Sequence, residues 1–125
     1  MSTYSLGFEL AYEGTMENEG FGELTNHKFD PGQQTWSGIS RRYQRSWPGW
    51  DLIDSGLHLN PDGRRKLFAL QKEFYYHEFW RPVDGENLAF IHLDISTKVF
   101  DVAVHRSVET GSEYLQRTLN VLNYG

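Results

Sequence analysis

The sequence predicts a mainly α protein of the α+β class, built as one domain with a small irregular or β-hairpin lobe. The length of 125 residues suits one domain. Apolar residues recur at helical spacing through the second half of the chain, whereas glycines interrupt every regular pattern between residues 14 and 38. The aromatic content of 15% and the hydrophobic content of 38% are typical of a chain with a real core.

The periodicity predicts five helices. The first runs from about Tyr4 to Tyr12 and ends near Glu13-Gly14, because glycine favours a helix C-terminus. Asn60 and Pro61 suit the N-cap and the first position of another helix. That helix should extend to about Trp80, and the others cover about 39–46, 88–104 and 109–122.

The lobe between Gly14 and Ser37 has little regular pattern. Asp30-Pro31-Gly32 is a turn signal, and the runs 22–24 and 34–36 could be the strands of a small hairpin. Ser37-Gly38-Ile39-Ser40 is expected to open the next helix. Arg41, Arg42 and Arg45 would lie on the solvated side of that helix.

Charge and composition exclude several functions. The net charge of −5 argues against binding of nucleic acid or an acidic membrane face through bulk charge. Without cysteine there is no disulfide, thiolate metal site or cysteine nucleophile. No segment approaches the ~20 apolar residues of a membrane span, and residues 1–10 do not resemble a signal peptide.

No metal or cofactor is expected. The five histidines show neither H-x-x-x-H nor H-E-x-x-H spacing, so a zinc amidase is poorly supported. Glu17, Glu19 and Glu23 lack the spacing of a calcium-binding loop and are interpreted as a solvated acidic segment.

The residues that suggest chemistry are Glu13, Asp30 and Thr35. Glycoside hydrolysis usually needs one carboxylic acid to protonate the leaving oxygen and a second group to activate water or support positive charge. A glutamate at a helix end beside a polar lobe could be partly desolvated, which favours the protonated form. Asp30 in a wetter turn could stay ionised, and Thr35 could hold a water. Ordinary surface, turn-capping and strand roles fit the same three residues.

Two parts of the chain resemble glycoside hydrolase family 108. Tyr12-Glu13-Gly14, followed by the segment Asp30-Pro31-Gly32-Gln33-Gln34-Thr35-Trp36-Ser37-Gly38-Ile39-Ser40, resembles the family's E-G-G and D-P-G-G-x-T-x-x-G-I-T signature. The segments 76–80, 99–104 and 114–120 look like its C-terminal region, which is described as a peptidoglycan-binding part. The chain departs from the family by Thr15 in place of glycine, by the inserted Gln33 and Gln34, and by lacking a closing D-G-x-x-G-x-x-T segment.

The resemblance implies a lysozyme-like fold and an endolysin-like N-acetylmuramidase that cleaves the β-1,4 bond between N-acetylmuramic acid and N-acetylglucosamine. It makes Glu13 the catalytic acid, with Asp30 and Thr35 as its partners. Residues 1–82 would form the catalytic part and residues 83–125 a peptidoglycan-binding part of the same globule. The residues expected to contact substrate are Trp36, Gly38 and Ser40.

The implied partner is bacterial peptidoglycan, and a monomer is expected. The protein would be made in the cytoplasm of the bacterial host and act at the cell wall, or be associated with a virion. Two alternatives stay open: a non-catalytic peptidoglycan-binding or virion protein with a degenerate lysozyme-like fold, and a lytic transglycosylase that forms an anhydro-sugar product.

Overall fold

The computed structural model describes residues 4–19, 22–27 and 30–124, with side chains throughout except at 18, 19, 26, 27, 30–33 and 122–124. This part of the chain contains six α-helices: α1 Leu6–Glu19, α2 Gly49–Asp54, α3 Pro61–Tyr75, α4 Gly85–Ile91, α5 Leu93–His105 and α6 Val108–Tyr124. A 3-10 turn (Leu57–Leu59) precedes α3, and a π-helical segment (Tyr76–Trp80) follows it. The antiparallel sheet has three strands in the order β1 Leu24–His27, β2 Asp30–Trp36, β3 Ile39–Ser40.

The mainly α class with a small hairpin lobe is therefore confirmed, and it is consistent with a lysozyme-like fold.

The chain divides into two compact units. Unit 1 combines Met1–Thr15 with Tyr75–Gly125, and unit 2 is Met16–Phe74. The proposed functional boundary near residue 82 stays a prediction.

The first helix is longer than the sequence predicted. α1 passes through Glu13-Gly14 without a break and ends at Glu19. Thr15 and Met16 are each only 1% exposed. Their burial outweighs the weak helix propensity of Gly14, because tertiary packing commonly overrides propensity. In unit 1 the Thr15 hydroxyl also donates a hydrogen bond to Asp101 Oδ1 at 3.3 Å.

Replacing Gly14 by alanine is expected to raise the free energy of unfolding by about 0.5–1 kcal/mol, since alanine loses less backbone entropy in a helix. A Cβ atom built at Gly14 meets no described atom within 4 Å. Urea unfolding measures the change. The matched substitution Gly38→Ala, at a φ of +85°, should lower stability instead. A loss of stability in Gly14→Ala would contradict the structure of α1.

The core of unit 1 is an aromatic cluster. Phe8 of α1 packs on Tyr76, Trp80 and Phe100, with ring centroids 5.1, 5.6 and 5.9 Å away. The Trp80 indole N–H donates to Glu86 Oε1 at 2.8 Å. These contacts connect α1 to the chain that follows α3, and they make the fully buried Trp80 a core residue.

The single helix predicted for 88–104 is wrong, because the chain is broken at His92. This residue is extended, with φ −155° and ψ 102°. Its ring nitrogen Nδ1 accepts a hydrogen bond from the backbone N–H of Ile95 at 3.3 Å and caps α5. The apolar spacing runs through the break, and Phe90 and Ile91 are left exposed.

Two other helices follow the prediction. α3 begins at Pro61, after an extended Asn60 whose carbonyl accepts the Arg64 N–H at 2.8 Å, and it buries Leu67 completely. α6 covers the predicted 109–122. Among the described residues, no helix is both long and apolar enough to cross a membrane.

Candidate active site

The sheet of unit 2 separates an apolar row from a polar row. Leu24, Trp36 and Ile39 are paired across the three strands, and Trp36 and Ile39 are each 1% exposed. The next row consists of Thr25, Thr35 and Ser40, which are also paired in register. Directly opposite residues of antiparallel strands point to the same face, so the three hydroxyl-bearing side chains lie side by side.

We call Thr25, Thr35 and Ser40 the hydroxyl row. Thr25 is exposed, and Thr35 and Ser40 are half-buried. Cβ atoms of such pairs lie about 4.5–5.5 Å apart, which allows neighbouring hydroxyls to bind the same polar ligand or water. The structure thus brings two of the predicted site residues, Thr35 and Ser40, onto one face of the hairpin, and it adds Thr25 to them.

The helix predicted for 39–46 is wrong because Ser37 and Gly38 form a two-residue hairpin loop. Both have positive φ, 46° and 85°, as a type I′ turn requires. The Ser37 side chain is buried, and its hydroxyl accepts the Gly22 N–H at 2.8 Å. The turn directs Ile39 and Ser40 back along β2. Gly38, predicted to bind substrate, therefore has a backbone role in this turn.

The turn predicted at Asp30 is also wrong, since Asp30 begins β2 opposite His27. The next pair along the two strands is Thr25 with Thr35. One residue of β1 lies between the two pairs, whereas four residues of β2, 31–34, lie between them, so β2 has three extra residues there. Gln33 and Gln34 belong to this irregular stretch. Bulges of this kind are over-represented next to active sites. The side chain of Asp30 lies outside the described part.

Trp36, which was expected to contact substrate, is a core residue of unit 2. Its indole N–H donates to Gln71 Oε1 at 2.8 Å, and Gln71 Nε2 contacts Met16 Sδ at 3.3 Å. Its ring packs on Phe68 at 5.8 Å between centroids. With Trp36 1% exposed, these contacts favour a structural role over the predicted contact with substrate.

Arg41 binds the irregular stretch of β2. It was predicted to lie on the solvated face of a helix instead. Its guanidinium donates to Gln34 Oε1 at 2.6 Å and to both carboxylate oxygens of Asp54, at 2.7 and 2.6 Å. It also lies over the Trp50 ring at 5.2 Å. Its backbone N–H donates to the Gln34 carbonyl at 2.8 Å. Gln34 is therefore held by both the backbone and the side chain of Arg41.

The Arg41–Asp54 ion pair is expected to weaken in acid. Hydrogen bonding from Arg41 lowers the pKa of Asp54 below its ordinary value, so the pair adds stability above the unfolded-state pKa of about 4 and loses it as pH falls through the lowered value. Asp54→Asn should lower the urea midpoint of unfolding at pH 7. The difference in midpoint between the variant and the wild type should become smaller below about pH 4. Asp51→Asn, on the same helix, should change the midpoint less. A difference in midpoint between Asp54→Asn and the wild type that does not change with pH would contradict the Arg41–Asp54 ion pair.

Glu13 lies in unit 1, in the interior of α1 rather than at the predicted helix end. Its side chain is exposed, so the partial desolvation suggested from the sequence is not found in the described part of the structure. No hydrogen bond or ion pair joins its carboxylate to any residue that the structure describes. The neighbouring Tyr12 and Thr15 are buried, whereas Glu13 lies on the exposed side of the helix. The carboxylate is thus accessible to a bound molecule.

The predicted site residues are divided between the units. Asp30, Thr35, Trp36, Gly38 and Ser40 lie in the sheet of unit 2, whereas Glu13 lies in unit 1. Among described residues, no group of three or more histidine and carboxylate side chains could hold a metal ion. Sequence reasoning missed Thr25 and Gln71, which are too far along the chain for any local spacing to connect them with Thr35 and Trp36.

A family model matches most of the chain. Residues 12–106 match glycosyl hydrolase family 108, a range that includes Glu13, the whole sheet and α2 to α5. The chain therefore belongs to glycosyl hydrolase family 108, and its class is that of a glycosidase. No curated protein and no solved structure matches it.

Proposed function

We propose that this glycosidase is an endolysin-like N-acetylmuramidase. It cleaves the β-1,4 bond between N-acetylmuramic acid and N-acetylglucosamine in peptidoglycan. Family membership supports peptidoglycan hydrolysis in general. The observation that carries the assignment is the exposed Glu13 carboxylate, which no described residue pairs.

The proposed role of Glu13 is proton donation to the leaving glycosidic oxygen. A general acid must come within hydrogen-bond reach of the oxygen that it protonates. The protonated carboxyl group of Glu13 would donate its proton to that oxygen and become a carboxylate, and with no partner among the described residues it has no ion pair to break first. The helix that carries Glu13 is held in unit 1 by the hydrogen bond from the Thr15 hydroxyl to Asp101 Oδ1.

The proposed role of the hydroxyl row is to bind and orient polar groups of the substrate or a water. Thr35 is its central member and pairs with both Thr25 and Ser40. Asp30, with Thr35, would activate the water or support the developing positive charge. Ser40 would contact substrate directly. Trp36 would hold the sheet in place by its packing in the core, and Gly38 would do so by its backbone conformation in the turn.

The proposed setting is the bacterial cell wall. The protein would be made in the host cytoplasm and act on peptidoglycan as a monomer, as an endolysin or as part of a virion. Residues 83–125 would contribute to wall binding. These assignments follow the family resemblance.

The test is digestion of isolated peptidoglycan, followed by borohydride reduction and sugar analysis of the soluble fragments. We expect the suspension to clear and N-acetylmuramitol to appear, because the new reducing end belongs to N-acetylmuramic acid. Reduced glucosamine ends would instead assign the neighbouring bond. Binding to the wall without release of fragments would overturn the enzyme assignment and leave a binding protein.

A further inference from the structure

Unit 1 has a groove between α5 and α6, which we call the α5–α6 groove. Its volume is about 510 Å³. Residues of both helices line it, among them His105 and Arg106 at the end of α5, and Glu113, Tyr114 and Arg117 on α6. The groove shares no residue with the hydroxyl row and does not include Glu13.

Some charged side chains of the groove have partners within the described part of the chain, and others have none there. In the described part of the chain, Arg106, Arg117 and Glu113 form no hydrogen bond or ion pair through their side chains. Asp101, by contrast, accepts the Thr15 hydroxyl at 3.3 Å and lies 3.3 Å from His105 Nδ1. Two arginines and one glutamate are thus available to a ligand, in a protein of net charge −5.

A second hollow continues the groove along α6. It has a volume of about 420 Å³ and is lined by Tyr114, Arg117, Thr118 and Val121. Tyr114 and Arg117 line both spaces. The two hollows form an elongated surface in which Arg117 lies beside an aromatic ring and an apolar side chain.

We propose that the α5–α6 groove binds a short peptide that has two carboxylates and an amine. Guanidinium groups recognise carboxylates through paired, charge-assisted hydrogen bonds, which assigns Arg106 and Arg117 to the peptide's carboxylates. Glu113 is placed to accept its ammonium group. Tyr114 and Val121 offer contact to small apolar side chains of the same peptide.

The composition of the groove favours a peptide over a neutral glycan. An N-acetylglucosamine chain has hydroxyls and acetamides but no charge, so it would leave both guanidiniums without a partner. Binding of a carboxylate peptide does not depend on the proposed function. Only the identification of its natural source, the peptide part of the cell wall, depends on that function.

The experiment is calorimetric titration of the whole chain with the tripeptide N-acetyl-Ala-Glu-Lys, which has two free carboxylates and one amine. The comparison ligand is N-acetyl-Ala-Gln-Lys amide, in which both carboxylates are replaced by neutral amides. We expect the acidic peptide to bind at least about tenfold more tightly, and Arg106→Gln and Arg117→Gln each to weaken it about tenfold. Arg45→Gln, an exposed arginine of unit 2, is the matched control and should bind as the wild type does.

Equal binding of the two peptides, absence of binding, or unchanged affinity in both arginine variants would overturn the proposal. Displacement of the peptide by N-acetylglucosamine tetramer would also overturn it and assign the groove to glycan. Glu13→Gln should bind the peptide normally, so failure of wall hydrolysis and failure of peptide binding are separate results.

Discussion

Replacing Glu13 by glutamine is expected to lower peptidoglycan cleavage by about 10²–10⁴-fold, because the amide cannot protonate the leaving oxygen. The side chain is exposed, and no described residue pairs with it, so the substitution should leave the fold unchanged. Initial rates of turbidity loss with isolated peptidoglycan measure the effect. Circular dichroism checks the fold, and co-sedimentation checks that the variant still binds the wall.

The matched control is Glu17→Gln. Glu17 lies four residues further along α1 and is also exposed, so the same chemical change is made on the same helix. We expect it to cleave at close to the wild-type rate. If both variants cleave normally, Glu13 is not the acid. If both lose activity equally, the effect is one of helix charge rather than proton donation.

Replacing Trp36 by alanine is expected to lower the free energy of unfolding by about 3–5 kcal/mol, the usual loss for a large aromatic removed from a core. The ring is 1% exposed and packs on Phe68. Its indole N–H also donates to the buried Gln71, so the substitution leaves a cavity and removes this hydrogen bond. Urea unfolding followed by circular dichroism gives the change.

Trp36→Phe is the companion variant, which keeps the protein measurable if alanine prevents folding. It retains most of the packing but removes the donor to Gln71, so we expect a loss of about 1–3 kcal/mol. Wall binding per folded molecule should remain. A Trp36→Ala protein of wild-type stability that no longer binds peptidoglycan would contradict the core role and favour the predicted contact with substrate.

Local signals in the sequence predicted α3 and α6 well. Asn60-Pro61 marks the start of α3, and the apolar spacing that predicts the helix agrees with its buried side, which includes Leu67. α6 follows from its own periodicity. In α3 the capping residues and the apolar spacing agree, and in α6 the spacing alone is sufficient, so short-range information predicts both helices.

The errors have non-local causes. Gly14 resembles a helix end, but burial of Thr15 and Met16 continues the helix. Apolar spacing runs through His92, although its extended backbone and capping ring divide α4 from α5. Ser37-Gly38 can precede a helix or close a hairpin, and the choice depends on strand pairing.

The candidate site was only partly predictable for the same reason. The resemblance identified Thr35 and Ser40 individually, but their alignment with Thr25 depends on the register of three strands. Gln34 appeared as an insertion in the motif, and its bond to Arg41 shows how the fold holds it. Gln71 lies on α3 and has no sequence signal that connects it to Trp36.

The most direct test of the proposed glycan hydrolysis is digestion of peptidoglycan in water enriched in heavy oxygen, with mass spectrometry of the released fragments. Hydrolysis places one oxygen from water at each new reducing end, so we expect fragments that are heavier by one oxygen label per cleaved bond. Anhydro-sugar ends without label would contradict hydrolysis and identify a lytic transglycosylase.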